Sequence, residues 1–286
     1  MKRYFTYLNE RSPLAALSIL SLGSACSAMA FYQEFSLSTL MLSLIINNLI
    51  FILLRLCDEM KDFQKDQIIN PSRPLPRGLF SVDEFKKLIL LHFFLLLISV
   101  VVVGVLSHWL AAGALLLCTL FAWLMYKEFY ISQDLTKSPI LYALTHQLIT
   151  LPIFAWPTLM GKFSQLNPLL FFSWLIINFG ASFTFEICRK LDPDAHQLAQ
   201  TYAHHYGNKK TLLFILILLS ISTVSAYLSH NLIYLGPFLA FLLVSLISWF
   251  NNNKKYQAVA GASALFSLIC LWYPAIDWVI SIWRSK

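Results

Sequence analysis

Nine apolar runs, each about as long as a helix needs to cross a bilayer, occupy most of the chain. They cover roughly residues 12–32, 36–57, 85–107, 109–126, 138–160, 167–188, 210–229, 231–250 and 256–281. No two-residue alternation competes with the helical reading. Gly113, Pro152, Pro157 and Gly180 are compatible with it, because neighbouring helices re-satisfy backbone groups freed inside lipid. Alternate connections (residues 32–35, 107–109, 161–167 and 229–231) are too short to hold a domain. On the other side two loops stand apart, residues 58–84 and 189–209. The pattern predicts an all-α polytopic membrane protein. Its nine transmembrane helices form one intramembrane helical domain, residues 1–286, bundled around a central cavity whose mouth is made by those two loops.

Composition agrees: 58% hydrophobic against 12% charged residues leaves too few polar side chains to coat a water-facing surface. This excludes a conventional soluble enzyme and a disordered chain. The net charge of +7 gains meaning only by location. Lys and Arg fall between the apolar runs, with no basic stripe interleaved with exposed aromatics, so no nucleic-acid partner is expected. Of the 21 basic residues, only Lys162, Arg284 and Lys286 fall on the side of the short turns. The positive-inside rule therefore puts the N-terminus and both long loops in the cytoplasm and the C-terminus outside, the arrangement expected of an integral protein of the bacterial inner membrane. A basic start followed by SLGSACSAMA mimics a secretory leader, but eight further spans argue that the first span is retained. The five cysteines are odd in number, widely spaced and without a C-x-x-C pair, and read as small core residues.

Chemistry, if there is any, belongs to the two long loops, where acidic residues cluster beside basic ones. The second span ends in NNLIFILLRLCDEMKDFQKD. On an ideal helix Arg55, Glu59, Asp62 and Asp66 fall within about 60 degrees of one another. Asn48 continues that stripe into the membrane, while Lys61 and Lys65 point to another face with Asp58 between the groups. Three carboxylates on one face repel unless a cation lies between them, and hard oxygen donors suit Mg²⁺, which takes a few carboxylates plus phosphate oxygens. The loop continues as NPSRPLPRG, where two prolines stiffen the chain around Arg73 and Arg77. Guanidinium groups held rigidly near carboxylates make a diphosphate clamp. A solvated, mixed-charge helix end is the plainer alternative.

DEMKDFQKD followed by NPSRPLPRG resembles the signature of the UbiA superfamily of intramembrane prenyltransferases, N-D-x-x-D-x-x-x-D and then R-P-L-P-x-G. In that register Glu59, Asp62 and Asp66 take the acidic positions, and Asp58 stands where Asn is usual. Nine spans, a cytoplasmic N-terminus and two acidic cytoplasmic loops fit the same family over essentially the whole chain.

The resemblance also places a second metal motif, D-x-x-x-D, after the sixth span, where this chain reads FEICRKLDPDAHQLAQTYAHHYG. Aligning Thr201 to Gly207 puts Lys190 and Asp194 on the two acidic positions, so a cation replaces one carboxylate. Glu186, one turn earlier, could stand in as ligand, and Arg189 or Lys190 could contact diphosphate. LMYKEFY similarly implies Lys127 near the diphosphate, with Tyr126 as its partner. The resemblance thus implies Mg²⁺ held among Asp58, Glu59, Asp62, Asp66, Glu186 and Asp194. It implies diphosphate on Arg73, Arg77, Lys127, Arg189 and Lys190, with Lys127 and Tyr126 taking part in the reaction.

His146 lies inside the fifth span, where an ionisable group is uncommon; it reads as a hydrogen-bonded core histidine or as a contact to acceptor or proton. His196, His204 and His205 read as solvated. The expected reaction is ionisation of an isoprenyl diphosphate and transfer of the prenyl group to a lipophilic acceptor, with membrane lipid as surroundings. Terpene cyclisation by the same cation is the alternative. A transporter or scaffold is the third reading, disfavoured by charges gathered at one face and by the lack of a repeat between halves.

Overall fold

The structure, a computed structural model, describes residues 2–135, 137–196, 198 and 201–284. Lys286, counted above on the outer side, lies outside the described residues. Among the described residues there is no β-strand. Eight helices are long and apolar enough to cross a membrane, and a bent pair at the N-terminus brings the number to nine. The protein is an integral membrane protein of the expected all-α class.

The bent pair consists of α1 (Lys2–Arg11) and α2 (Leu14–Ala30), which meet at 67°. Pro13 causes the bend, because its fixed φ and missing N–H cannot continue the helix from α1. The 17-residue α2 buries a face of small side chains, Ser21, Gly23, Ser24, Ala25, Ser27 and Ala28. Small residues let helix backbones approach inside lipid. Ser27 Oγ donates to the Leu271 carbonyl of the last helix at 2.6 Å. The segment that mimics a leader cleavage site is therefore a helix-packing face.

The second span is α3 (Leu37–Lys61), started by Ser36, whose side chain accepts from the Thr39 amide. It ends at Asp62, and a separate short helix, α4 (Phe63–Ile69), follows. After a turn-rich loop come α5 (Val82–Leu106), opened by a Ser81–Glu84 capping box, and α6 (Trp109–Tyr126). A short stretch including α7 (Ser132–Leu135) leads to the fifth span, split into α8 (Pro139–Gln147) and α9 (Thr150–Thr158). Pro152 explains the split: it offers no N–H to the Leu148 carbonyl one turn earlier, and its ring crowds that carbonyl. The bundle closes with α10 (Pro168–Cys188), α11 (Tyr202–Leu228), α12 (Leu232–Asn251) and α13 (Tyr256–Arg284).

Trp156, Trp174, Ile46, Ile50, Leu53 and Leu56 lie at the centre, fully buried. Polar side chains there lock helices together: Trp156 Nε1 donates to Asn47 Oδ1 at 2.9 Å, and Asn178 Nδ2 donates to the Cys270 carbonyl at 3.1 Å. Asn48, expected on the reactive stripe, donates instead to Ser21 Oγ at 3.2 Å and the Leu44 carbonyl at 2.7 Å. At Gly180 α11 comes so close that a Cβ would run into Ser222. The five cysteines are unpaired, four of them buried. Because the spans alternate in direction, the described residues within 62–81, 127–138, 189–201 and 252–255 gather at one end of the bundle.

Candidate active site at the charged end of the bundle

The acidic comb drawn on an ideal helix does not form, because the helix breaks at Asp62 and the carboxylates part company. Glu59 and Asp66 are fully buried, whereas the Asp58 and Asp62 side chains are about half exposed, at 50% and 44%. Glu59 Oε2 accepts from Arg11 Nε at 2.6 Å, and its Oε1 accepts from the Leu75 amide at 3.4 Å. Asp66 accepts from Arg73 and, at 2.9 Å, from Asn70 Nδ2. Two of the three carboxylates of the first motif thus hold the N-terminal helix and the Pro-rich loop in place.

That loop is folded down rather than reaching out. Leu75 is buried, and Gly78 takes φ +81°, a left-handed conformation that glycine adopts without a Cβ clash. Arg77 donates through both terminal nitrogens to Glu10 at 2.8 Å, and to the Ser72 carbonyl at 2.9 Å. The hydrogen bonds to Glu10 raise the Arg77 pKa above its ordinary value. Arg3 pairs with Glu84 at 2.8 Å, and Tyr4 bonds His92 at 2.9 Å. Helix α1 is therefore fastened to the loop and to α5. Arg73 and Arg77, expected as a diphosphate clamp, are both occupied by internal carboxylates.

Asp58 and Asp62 have only loose partners, Lys61 and Lys65, each at 3.5 Å. Lys61, which helical geometry assigned to another face, has only 12% of its side chain exposed. Its ammonium lies 3.3 Å from Tyr142 Oη and 3.3 Å from His146 Nε2. Tyr142 and His146 stack with ring centroids 4.0 Å apart, as the i, i+4 spacing on α8 permits. His146 Nδ1 faces the Tyr142 carbonyl at 2.8 Å. A carbonyl only accepts, so Nδ1 carries the hydrogen and Nε2 is left to accept from Lys61. Tyr142 Oη donates onward to Glu128 Oε1 at 3.1 Å. His146 is thus hydrogen-bonded, as the plainer reading expected, but at the charged mouth.

Glu128, Phe129 and Tyr130 all have positive φ, 49°, 53° and 59°. Three consecutive non-glycine residues in this region are a costly backbone arrangement. The turn they make follows α6 and sets Phe129 edge-on to His146, with centroids 5.8 Å apart. Just before it, the Lys127 ammonium rests over the rings of Trp123 and Tyr126 at 5.1 and 5.0 Å, an attraction of cation to ring face.

The second cluster sits at the end of α10. Arg189 Nε donates to Glu186 Oε2 at 2.6 Å, and Lys190 Nζ lies 2.7 Å from Glu186 Oε1. Burial pulls the Arg189 pKa down, but the Glu186 carboxylate more than offsets this, leaving it raised. Lys190 also lies over the Tyr202 ring at 5.7 Å. Asp194 is exposed, its amide donating to Asp192 Oδ1 at 3.0 Å. His204 Nε2 meets the Pro193 carbonyl at 3.0 Å, and His196 and His205 are exposed.

The two clusters lie side by side: α8, which carries Tyr142 and His146, packs against α10, whose end carries Glu186, Arg189 and Lys190. Among the described residues no three His, Cys, Asp or Glu side chains come together closely enough to hold a metal ion by themselves. A cleft of about 210 Å³ is lined by Met29, Tyr32, Glu34, Pro157, Gly161 and Lys162. It opens at the opposite end of the bundle and is not part of this site.

The chain is thus a helical membrane bundle that gathers carboxylates, lysines and arginines at one end. The model of the UbiA prenyltransferase family matches residues 18–272, and the chain belongs to that family of intramembrane prenyltransferases. Among solved structures it is similar to one of digeranylgeranylglyceryl phosphate synthase, with TM-score 0.69 and 18% identity over 97% of this chain and all of that one. It is also similar to an apo UbiA homologue from Aeropyrum pernix K1, with TM-score 0.55 and 14% identity over 88% of this chain and 96% of that one. Among curated proteins, none matches the sequence.

Proposed function

We propose that this prenyltransferase ionises an isoprenyl diphosphate at the charged end of the bundle and passes the prenyl group to a lipophilic acceptor. The proposal includes a cytoplasmic N-terminus in a bacterial inner membrane. The observation that carries it is the gathering at one end of the bundle of Asp58, Lys61 and His146, linked through Lys61, with Glu186, Arg189 and Lys190 at the end of α10, which packs against the α8 that carries His146. Its three cations, Lys61, Arg189 and Lys190, outnumber the two carboxylates they pair with, Asp58 and Glu186, beside an apolar bundle.

The donor chemistry fits one Mg²⁺. The ion is satisfied by one or two carboxylates when phosphate oxygens and water complete its shell, and Asp58 and Asp62 are the half-exposed, loosely paired carboxylates. Glu186 already holds two cations, while Glu59 and Asp66 hold arginines, so these three do not offer a second ion a site. Asp194, exposed beyond them, remains an outer candidate. Bound there, Mg²⁺ would neutralise charge developing on the diphosphate.

Lys61, Arg189 and Lys190 would face the same oxygens, and pre-placed charge of this kind lowers the barrier without reorganisation. The allylic carbon–oxygen bond breaks with its electron pair leaving on diphosphate. The acceptor then bonds to carbon and loses a proton, and the apolar helices keep water from the cation. Lys127 and Tyr126 would border this space, with Lys127 held against its aromatic neighbours until diphosphate draws it in.

Purified protein incubated with C10 to C20 prenyl diphosphates and Mg²⁺, with and without membrane extract, tests the reading. Prenylated product that depends on extract supports transfer. Terpene hydrocarbon or alcohol formed without extract would establish cyclisation instead, and inertness in both arms would overturn the proposal.

A further inference from the structure

The end of the bundle away from the charged loops has a site of its own. Its short turns hold one carboxylate and one ammonium group, Glu34 after α2 and Lys162 after α9. Both line the cleft of about 210 Å³ at that end. Both are exposed there, and neither is paired with the other or with any charged group among the described residues. Opposite charges that share one small cleft without meeting leave each free for a ligand.

The walls, by contrast, are bonded to one another. Tyr32 Oη donates to the Thr158 carbonyl at 2.8 Å, and the Ser36 amide donates to Met29 Sδ at 3.2 Å. The Tyr32 ring lies where a Cβ on Gly161 would be, so glycine alone lets the two turns come this close. Gln33 takes φ +52°, a left-handed residue that turns the chain between Tyr32 and Glu34. A preformed cleft with one free charge of each sign is complementary to a zwitterion. Its depth in the membrane is set by the side chains that follow the two charges: Phe35, Leu37 and Phe163 are 64%, 59% and 47% exposed. Together with Tyr32 they put the cleft where headgroups meet acyl chains. Its volume is below the roughly 300–1,000 Å³ of sites that enclose a whole small molecule, and suits a headgroup whose chains stay in the bilayer.

We infer that this cleft binds the headgroup of phosphatidylethanolamine, with the primary ammonium on Glu34 and the phosphate on Lys162. Both contacts are charge-assisted hydrogen bonds, the stronger kind. An anionic headgroup without an amine sets its negative charge against Glu34. A choline headgroup has no N–H to donate and is bulkier. The acyl chains lie against Phe35, Leu37 and Phe163. The site is at the opposite end from Asp58 and Lys190, so the inference goes beyond prenyl transfer and does not rest on it.

Native mass spectrometry of the full chain in detergent tests this, with phosphatidylethanolamine, phosphatidylglycerol and phosphatidylcholine of one acyl composition added at equal concentration. Wild type should retain phosphatidylethanolamine about fivefold over either competitor, the upper range for one exposed charged contact. Glu34→Gln should bring phosphatidylethanolamine down to the level of phosphatidylglycerol. Lys162→Gln should lower retention of all three lipids, since each carries a phosphate. Lys254→Gln with Lys255→Gln, at the other end of the bundle, should leave the preference intact. Both cleft residues are exposed, so these variants should fold, and thermal unfolding checks that they do. Equal retention of the three lipids by wild type would overturn the proposal, as would a preference that survives Glu34→Gln or is lost in the Lys254/Lys255 control. Soluble glycerophosphoethanolamine that displaced the lipid at equal concentration would overturn the assignment to a membrane lipid.

Discussion

Arg11 Nε lies 2.6 Å from Glu59 Oε2, and the carbonyl of the same Arg11 accepts from Arg55 Nε at 2.9 Å. One residue at the bend between α1 and α2 thus ties the N-terminal helix to the last two turns of α3. The pair is buried, with 16% of the Arg11 and none of the Glu59 side chain exposed. A carboxylate at an acidic position of the family motif serves as the anchor of a helix that covers the loop beside the site.

Removing Glu59 should therefore act first on stability. Breaking a buried ion pair by deleting one partner leaves an uncompensated charge and costs about 3–5 kcal/mol. Glu59→Ala should unfold at clearly lower temperature in detergent. Arg11→Met combined with Glu59→Leu should recover part of the loss. A Glu59→Ala protein as stable as wild type but inactive would return Glu59 to the metal site.

Asp58→Ala and Asp62→Ala should do the reverse. Their side chains are half exposed and their lysine partners sit at 3.5 Å, so stability should hardly change, within about 1 kcal/mol. Turnover of prenyl diphosphate in Mg²⁺ titrations should be lost in both variants. Unchanged Mg²⁺ dependence in either would remove that residue from the proposed ion site.

Lys61→Ala should raise the apparent constant for the diphosphate substrate substantially, while Lys65→Ala, whose side chain is 38% exposed against 12% for Lys61, should be milder. Loss of one partner from a desolvated charged contact typically costs about 2–5 kcal/mol, or roughly 30-fold to several thousand-fold in affinity. Equal, small effects at both lysines would place Lys61 outside the site despite its contacts with Tyr142 and His146.

At the second cluster, Lys190→Ala should weaken substrate binding, because Lys190 and Arg189 together exceed the charge of Glu186. Lys190→Asp should be worse still. A Lys190→Asp variant with higher activity than wild type would mean that position 190 is a lapsed metal ligand and that Glu186 is not the substitute.

Side-specific labelling of single cysteines introduced at Arg73, Asp194 and Arg284 should give the first two from the cytoplasm and the third from outside. The count of basic residues by side motivates this. Labelling all three from one side would break the alternation of spans on which the shared charged end rests.

The apolar run lengths were enough to determine an all-α membrane bundle, of eight spans or nine with the bent pair, and the lopsided placement of Lys and Arg pointed to the end where the charged loops gather. Both follow from the cost of unpaired backbone and of charge in lipid, which each segment meets locally. The motif residues DEMKDFQKD and RPLPRG carried the family. What each charge does was decided only in three dimensions. Helical angles placed Glu59, Asp62 and Asp66 on one stripe, but the break at Asp62 and the docking of α1 turned Glu59 and Asp66 inward to arginines. Arg77 found its partner in Glu10, far away in the chain. Lys61 joined the site because α8 brings Tyr142 and His146 against it. The i, i+4 spacing of Tyr142 and His146 was a visible hint, but no local pattern names their partner. Which carboxylate meets a cation of its own chain and which stays open depends on contacts between segments distant in sequence, and those exist only once the helices have packed.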